Sequence, residues 1–282
     1  MVVATKTTTT SAASSPPIQE VFALRGLFAG TGGRNDSSST WTNSTGWDNM
    51  GSDDPCHWFG VACNSTKSLS NTSTNIIGLR LSNNGLKGKI PSSQLAVLSS
   101  LEHMDLSKNA LTGTLPTRIC DIGSSLRYLG FWYNSLTGTI PSCYGSSFTN
   151  LNGLSLEVNS LTGTIPASLG EIGSSLKTMW LYANRLTGTL SPTLFSALSA
   201  LETFDARSNL FSGSLDATCS LTHIKNLIIW NNSFTGSVPA CIGENFADLE
   251  ILALGGNELR GTIALIRNLK FYFMLLLFFV CS

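Results

Sequence analysis

The chain has 282 residues, of which 42% are hydrophobic and only 12% are charged, and its basic and acidic side chains cancel to zero net charge. This balance argues against a nucleic-acid partner, because binding to phosphates requires clustered lysine and arginine residues. By length alone the chain could hold two domains, but a repeated sequence unit favours one elongated domain.

The N-terminal segment, residues 1–17, is rich in threonine, serine, alanine and proline, and is predicted to be disordered. It lacks the apolar core of a signal peptide, so we expect that the true N-terminus or a signal-anchor is missing from this sequence. After Pro17 the apolar residues predict a helix over residues 18–28, which the glycines from Gly30 onward end.

Residues 18–75 are predicted to form an N-terminal cap. The cap contains three tryptophans and two cysteines, namely Trp41, Trp47, Trp58, Cys56 and Cys63. We expect the tryptophans to cover the leucines that the first repeat would otherwise expose to water. The polar stretch over residues 65–75 is predicted to be a loop.

Residues 76–264 repeat one unit, L-x-x-L-x-L-x-x-N-x-L-x-G-x-I-P, and the octapeptide NSLTGTIP occurs in it twice. The copies follow each other at 25 residues, with one shorter step of 23. Each unit contains one asparagine at the same place: Asn84, Asn109, Asn134, Asn159, Asn184, Asn209, Asn232 and Asn257. Eight copies at this period predict a solenoid in which neighbouring units share one continuous core.

The residue types within a unit predict its local structure. In the first half, alternation predicts a strand with Leu129 and Phe131 in the core and Trp132 facing outward. Asn134 should turn the chain inward and bond backbone groups of the neighbouring unit. In the second half, LTGTI, the period is again two, so the threonines should face solvent.

The LxGxIP half of the unit resembles the plant-type leucine-rich repeat, and the match covers residues 76 to about 263. Receptor-like proteins, receptor-kinase ectodomains and polygalacturonase-inhibiting proteins belong to that family. The resemblance implies an α/β solenoid, a curved right-handed superhelix of eight repeats with an N-terminal disulfide cap. The sequence PCHWFGVAC is similar to the family cap motif PC-x-W-x-G-V-x-C, which implies a disulfide between Cys56 and Cys63.

The other cysteines and the glycosylation sequons point to the secretory pathway. Cys120 and Cys143 lie in adjacent repeats, as do Cys219 and Cys241, so disulfides between repeats are an open alternative. No CxxC or HxxxH spacing favours a metal site, and no metal or other cofactor is expected. Five N-x-[ST] sequons begin at Asn35, Asn43, Asn64, Asn71 and Asn231. An extracellular or cell-surface location follows from these features.

The outward positions of the predicted strands form the candidate ligand site on the concave face. This site is rich in aromatic residues with three interleaved charges, and comprises Tyr128, Trp132, Tyr133, Glu157, Trp180, Tyr182, Asp205, Arg207 and Trp230. Exposed aromatic residues and arginine are typical of binding surfaces. We expect receptor-like recognition of a peptide, protein or glycan, a role in signal transduction, and a co-receptor as a further partner.

Catalysis is not expected. His103, Asp105 and Ser107 share a strand face, but side chains two residues apart on a strand are too widely spaced for a catalytic triad. Two alternative functions stay open: ice binding by the stacked Thr-Gly-Thr flank, and inhibition of a secreted hydrolase.

The last segment, residues 265–282, contains the apolar run FYFMLLLFFVC. Eleven residues are too few for a membrane helix, which needs about 20. A degenerate ninth repeat, an anchor and a truncated end are all compatible with it. Membrane association would therefore depend on a segment that this sequence does not contain.

Overall fold

The computed structural model describes residues 16–34, 38–47, 54–67, 72–244 and 246–261. The first element is the helix α1, Ile18–Gly30, as the apolar stretch predicted. A short 3-10 helix, Pro55–His57, follows it in the cap. Most of segment 1–17 and the whole of segment 265–282 lie outside the described residues, so the predictions made for them stay predictions.

A nine-stranded sheet, here called the main sheet, runs through the described chain. Its strands are β1 Val61–Lys67, β2 Thr72–Arg80, β4 His103–Asp105, β6 Tyr128–Gly130, β8 Gly153–Ser155, β10 Thr178–Trp180, β12 Thr203–Asp205, β14 Asn226–Ile228 and β16 Ile251–Ala253. From β2 to β16 all neighbours are parallel, and each strand pairs with the equivalent residues of the next unit. The repeat spacing predicted one parallel sheet of eight strands, over residues 78–82, 103–107, 128–132, 153–157, 178–182, 203–207, 226–230 and 251–255. That sheet is confirmed, although all eight strands end two residues earlier than predicted.

A second sheet of eight parallel strands contains the Thr-Gly-Thr sequences. Its strands are β3 Lys87–Lys89, β5 Ala110–Thr114, β7 Ser135–Gly138, β9 Ser160–Gly163, β11 Arg185–Gly188, β13 Leu210–Gly213, β15 Ser233–Ser237 and β17 Glu258–Arg260. Leu136 and Ile140 are buried while Thr137 and Thr139 are exposed, as the period of two predicted.

Short helices connect the second sheet back to the main sheet. They are α2 Ser92–Leu95, α3 Cys143–Ser147, α4 Pro192–Ala197 and α5 Cys241–Glu244, with 3-10 helices at Thr117–Ser125, Ala167–Ser175 and Asp216–Ser220. Disulfides join Cys120 to Cys143 and Cys219 to Cys241 across this side of the molecule. The alternative that the sequence left open is therefore the one that the structure adopts.

The core is a continuous column of leucine and phenylalanine side chains between the two sheets and the connecting helices. Leu129, Phe131, Leu154 and Leu156 are all fully buried within it. No unit could bury these side chains alone, so each depends on its neighbours.

The repeat asparagines form a ladder of side chains that hydrogen-bond backbone groups where the chain turns from the main sheet to the second sheet. The Nδ2 group of Asn159 donates to the carbonyls of Phe131 at 3.0 Å, Leu156 at 3.1 Å and Glu157 at 3.3 Å. Its Oδ1 accepts from the backbone N–H of Leu136 at 2.9 Å. The predicted bonding between neighbouring units is therefore confirmed.

A turn feature that sequence reasoning missed lies directly before each of these asparagines. The backbone there is left-handed, with a positive φ, in seven units at Asn83, Lys108, Tyr133, Val158, Ala183, Ser208 and Asn231. This conformation is unfavourable in free energy for residues other than glycine, asparagine and aspartate. Asn83, Asn231 and Gly256 are residue types that adopt it readily, whereas the other five positions give no sign of it.

The cap closes the first end of the core with aromatic side chains. Trp41, Trp47 and Trp58 are buried, and the ring centroid of Trp47 lies 4.9 Å from that of Trp41 and 5.1 Å from that of Trp58. The Cys56–Cys63 disulfide is present. The buried Glu20 accepts a hydrogen bond from the backbone N–H of Ile76 at 3.0 Å, an unexpected tie between α1 and the first repeat.

The predicted loop over residues 65–75 is wrong at its described positions, 65–67 and 72–75, which belong to strands. Strands β1 and β2 pair antiparallel there, with Thr66 opposite Ser73 and Lys67 opposite Thr72. Threonine and serine side chains suit a pleated strand, and the pairing satisfies the backbone without an apolar pattern. The cap therefore extends the main sheet by one antiparallel strand.

Candidate functional site

The predicted ligand residues lie on the outer face of the main sheet, on strands β6 to β14 and just beyond their ends. The backbone ladder continues past each strand: Lys108 N–H donates to the carbonyl of Trp132 at 2.8 Å, and Val158 N–H donates to that of Tyr182 at 2.9 Å. Trp132 and Tyr182 are therefore held in register although the strands end before them.

Seven of the nine predicted residues meet around one depression of ≈ 370 Å³. The depression is lined by Tyr128, Trp132, Ser155, Glu157, Trp180, Tyr182, Asp205 and Arg207. Ser155 was not predicted, because aromatic and charged side chains were the signal for the site. It occupies the outward position two residues before Glu157, and that spacing would have identified it.

Two predicted residues lie outside this lining. Tyr133 follows Trp132 and is 59% exposed, and Trp230 is 41% exposed. Trp230 stays close to the site, since its ring centroid lies 6.0 Å from the guanidinium carbon of Arg207. The depression thus has a further aromatic side chain at one edge.

Arg207 is fixed by two contacts within the site. Its Nη1 lies 3.1 Å from Oδ2 of Asp205, and its guanidinium carbon lies 4.1 Å from the ring centroid of Tyr182. Asp205 is buried, and burial raises its pKa to about 6 although the charge of Arg207 acts in the opposite direction. The arginine therefore has little freedom left to lose when a ligand binds.

Glu157 is the most unusual group of the site. Only 6% of its surface is exposed, and both carboxylate oxygens accept from Oγ of Ser155, at 2.8 and 3.0 Å. Burial raises its pKa to about 7, and the negative charge of Asp205 adds to this effect. At neutral pH the site therefore contains a carboxyl group close to its midpoint of ionisation.

Tyr128 closes one side of the depression. Its ring stacks on His103 with centroids 4.6 Å apart and an angle of 16° between the planes. A Cβ atom at Gly130 would come within 2.8 Å of the Tyr128 ring, so a larger residue there would displace the ring. Burial lowers the pKa of His103, which favours the neutral imidazole in this stack.

The site contains no arrangement that resembles a catalytic triad among the residues described. Ser107 donates its backbone N–H to Asp105 Oδ1 at 3.0 Å, while its buried Oγ has no hydrogen-bond partner in that part of the chain. Nor do the described histidine, cysteine, aspartate and glutamate side chains form a cluster that could bind a metal ion.

The threonine flank is a separate surface on the second sheet. Thr139, Thr164 and Thr189 stand at equivalent positions in successive units, and all three are exposed. A Cβ atom at Gly138, where φ is 77°, would come within 2.9 Å of Thr114 Cγ2. Gly138, Gly163 and Gly188 thus each make room for a threonine methyl of the preceding unit.

The described sequons differ in accessibility. Asn64 and Asn231 are exposed, whereas Asn43 is half-buried and bonded to Asn84 through its backbone. Asn35 and Asn71 lie outside the described residues. Of the helices in the described ranges, none combines the length and the apolar character that a membrane crossing requires.

Sequence comparisons match part of the chain. The family model described as Leucine Rich Repeat matches residues 100–122. Cuscuta receptor 1 of Solanum lycopersicum is 46% identical over 46 residues, which make up 16% of this chain and 4% of that protein.

Solved structures resemble most of the chain. The crystal structure of PEPR1-AtPEP1 matches with a TM-score of 0.73 and 26% identity over 86% of this chain and 32% of that one. The ectodomain of GASSHO1/SCHENGEN3 from Arabidopsis thaliana, in complex with CASPARIAN STRIP INTEGRITY FACTOR 2, has a TM-score of 0.66 and 29% identity over 87% and 30%. Arabidopsis HAESA, in complex with the peptide hormone IDA and the co-receptor SERK1, has a TM-score of 0.56 and 27% identity over 86% and 46%.

A plant ice-binding protein shares the fold, with a TM-score of 0.57 and 23% identity over 88% of this chain and 89% of that one. The chain spans less than half the length of the receptor ectodomains that it matches. Two sheets built of parallel repeat strands, an asparagine ladder and a capped core confirm the resemblance to leucine-rich repeats. The chain therefore has the fold of a leucine-rich-repeat solenoid and is similar to the ectodomains of plant receptor kinases.

Proposed function

We propose that this chain is the recognition part of an extracellular or cell-surface receptor-like protein, and that it binds a peptide without catalysing a reaction. The observation that carries the proposal is the depression in which four aromatic side chains surround Glu157, Asp205 and Arg207. Tryptophan, tyrosine and arginine contribute most of the binding energy at protein interfaces.

The dimensions of the face suit an extended peptide. From Tyr128 on β6 to Trp230 after β14 there are four strand spacings, or roughly 19 Å at about 4.8 Å each. An extended peptide of about six residues spans this distance at about 3.3 Å per residue. The rings are rigid and Arg207 is already fixed, so little conformational entropy is lost on binding.

The similar structures support a peptide ligand. HAESA is in complex with the peptide hormone IDA and the co-receptor SERK1. This chain covers 46% of HAESA, so both a peptide ligand and a co-receptor are proposals here. Three disulfides among the described residues support an oxidising compartment such as the cell exterior.

The test compares the two surfaces of the solenoid. One set of variants replaces Trp132, Trp180 and Tyr182 singly with alanine, and the other replaces Thr139 and Thr164 singly with valine, which preserves side-chain shape. Binding of random dodecapeptides displayed on phage is measured beside thermal hysteresis of freezing. We expect each aromatic truncation to weaken selected peptides by about 2 kcal/mol or more, around thirtyfold.

The threonine variants are the matched control for peptide binding and the test of the competing function. In the wild type, the exposed and regularly spaced hydroxyl and methyl groups of these threonines are the specific observation that favours ice binding. Hysteresis that disappears with the threonines and persists without the aromatic side chains would establish that alternative and refute the proposal.

A further inference from the structure

Three ionisable side chains other than tyrosine line the depression, and two of them, Glu157 and Asp205, are acidic while only Arg207 is basic. This imbalance concerns the chemistry of the ligand that the proposed function requires. Arg207 is paired with Asp205 at 3.1 Å, so these two charges offset each other. Glu157 remains. Among the residues that the structure describes, no basic side chain forms an ion pair with it, and its carboxylate is bonded by the hydroxyl of Ser155.

An ionised carboxylate that is 6% exposed lacks the water that would normally stabilise it. The Ser155 hydroxyl and the backbone N–H of Glu157 are a weak substitute, because a carboxylate offers about four acceptor sites and each of these groups offers one donor. Buried charges in proteins are generally paired with an opposite charge. A cation brought by the ligand would supply the opposite charge that Glu157 lacks among the described residues.

The walls of the depression suit a cation as well. Two cations already lie over rings of this face: the ammonium of Lys108 is 4.7 Å from the ring centroid of Trp132, and the guanidinium of Arg207 is 4.1 Å from that of Tyr182. Tyr128 and Trp180 also line the depression. Aromatic faces attract cations through their electron density, most strongly where water is excluded.

We propose that this depression receives the basic side chain of a lysine or arginine residue of the peptide ligand, with Glu157 as its counter-ion. The volume of ≈ 370 Å³ is sufficient for one long side chain. The inference rests on the proposed function, since it specifies which peptides the face selects. Acidic side chains are disfavoured because two carboxylates, Glu157 and Asp205, already face the depression.

The test begins with the full chain and displayed random dodecapeptides. Peptides that bind the wild type but not Trp180→Ala are selected, and each is synthesised in two forms. One form keeps the basic residue, and the other has citrulline in place of arginine or acetyl-lysine in place of lysine. Calorimetry then measures each form against the wild type, Glu157→Gln and, as a matched control on the exposed 3-10 segment, Glu171→Gln. The glutamine variant keeps the shape of the side chain and its bond to Ser155, and its folding is checked by circular dichroism.

We expect the neutral peptides to bind the wild type at least about tenfold more weakly than the basic ones. Neutralising the peptide should change its affinity for Glu157→Gln little. It should weaken binding to Glu171→Gln as much as binding to the wild type. Selected peptides that need Trp180 but bind equally well without their charge would overturn this inference and leave the proposed function intact. A search that yields no peptide dependent on Trp180 would overturn both.

Discussion

Neutralising Glu157 should make the protein more stable at alkaline pH. This side chain is nearly buried, and the structure shows only the hydroxyl of Ser155 and its own backbone N–H as hydrogen-bond donors to it. In Glu157→Gln the side chain keeps its size and its bond to the serine hydroxyl but cannot ionise. The variant therefore isolates the cost of placing an unpaired negative charge in the binding face.

The magnitude follows from the pKa of Glu157, which rises from 4.5 to about 7 on folding. The folded state binds this proton more tightly than the unfolded state, so the unfolding free energy falls as the pH rises from about 4.5 to about 7. At about 1.36 kcal/mol for each tenfold change in proton affinity, the loss above pH 7 is at most about 3 kcal/mol. Glu157→Gln should avoid this loss.

Thermal unfolding followed by circular dichroism measures the effect. At pH 8 we expect Glu157→Gln to melt about 5 °C above the wild type, and at pH 4.5 we expect equal midpoints. Glu171→Gln, which removes an exposed charge, should follow the wild type at both values. Equal midpoints of wild type and Glu157→Gln at pH 8 would refute the view that the charge is unpaired and costly.

Three further predictions concern the scaffold. Asn159→Ala should lower the unfolding free energy by about 3 kcal/mol in urea titration, because it leaves buried backbone groups unbonded, and an unchanged midpoint would contradict the ladder. The double variant Cys56→Ala, Cys63→Ala should have an unfolding free energy about 2–3 kcal/mol lower than the wild type. Mass mapping that finds both wild-type thiols free would disprove the bridge. Val158→Asn should add about 1 kcal/mol in calorimetry, since asparagine tolerates the left-handed backbone; a loss would show that packing of the valine matters more.

Much of the fold could be predicted because each unit repeats the same physical requirements. Leu154 and Leu156 must point inward and Asn159 must bond the turn, and these needs recur every 25 residues in most units. The period alone therefore predicted which residues pair across the main sheet. The hairpin of β1 and β2 was missed because it occurs once and its polar strands follow no repeat.

The left-handed residues show a different limit. Val158 and Ala183 have ordinary side chains that give no sign of a positive φ. A backbone bond between units accompanies this conformation, since the N–H of Asn159 donates to the carbonyl of Ala183 in the next unit. The asparagine side chains made their own bonds between units predictable, but a bond between two backbone groups leaves no mark on residue type.

The candidate site was predictable in position more than in detail. Outward columns of the strands brought Trp132, Trp180 and Tyr182 onto one face, and the strand period is sufficient for that. The pairing of Arg207 with Asp205 follows from the same spacing, because residues i and i+2 share a face. The isolation of Glu157 depends on how closely the rings pack around it, which the spacing does not reveal.

The repeats themselves separate the positions that stabilise the fold from those that determine binding. The inward position next to Glu157 is apolar in every unit: Leu81, Leu106, Phe131, Leu156, Leu181, Ala206, Ile229 and Leu254. The outward position instead varies from serine and glycine to tryptophan, glutamate and arginine: Ser82, Ser107, Trp132, Glu157, Tyr182, Arg207, Trp230 and Gly255. Because the eight residues stand at equivalent backbone positions of the repeats, the variation at the outward position reflects contacts outside the core.

This separation leads to a paired prediction for two adjacent residues. Leu156→Ala removes a fully buried side chain and should cost about 2–5 kcal/mol at any pH. Glu157→Ser introduces the residue that two other units have at this position, so at pH 8 it should leave the melting midpoint unchanged or raise it. It should nevertheless abolish selection of basic peptides. If Glu157→Ser destabilised the protein as much as Leu156→Ala, the carboxylate would be part of the scaffold, and its role in binding would lose its physical basis.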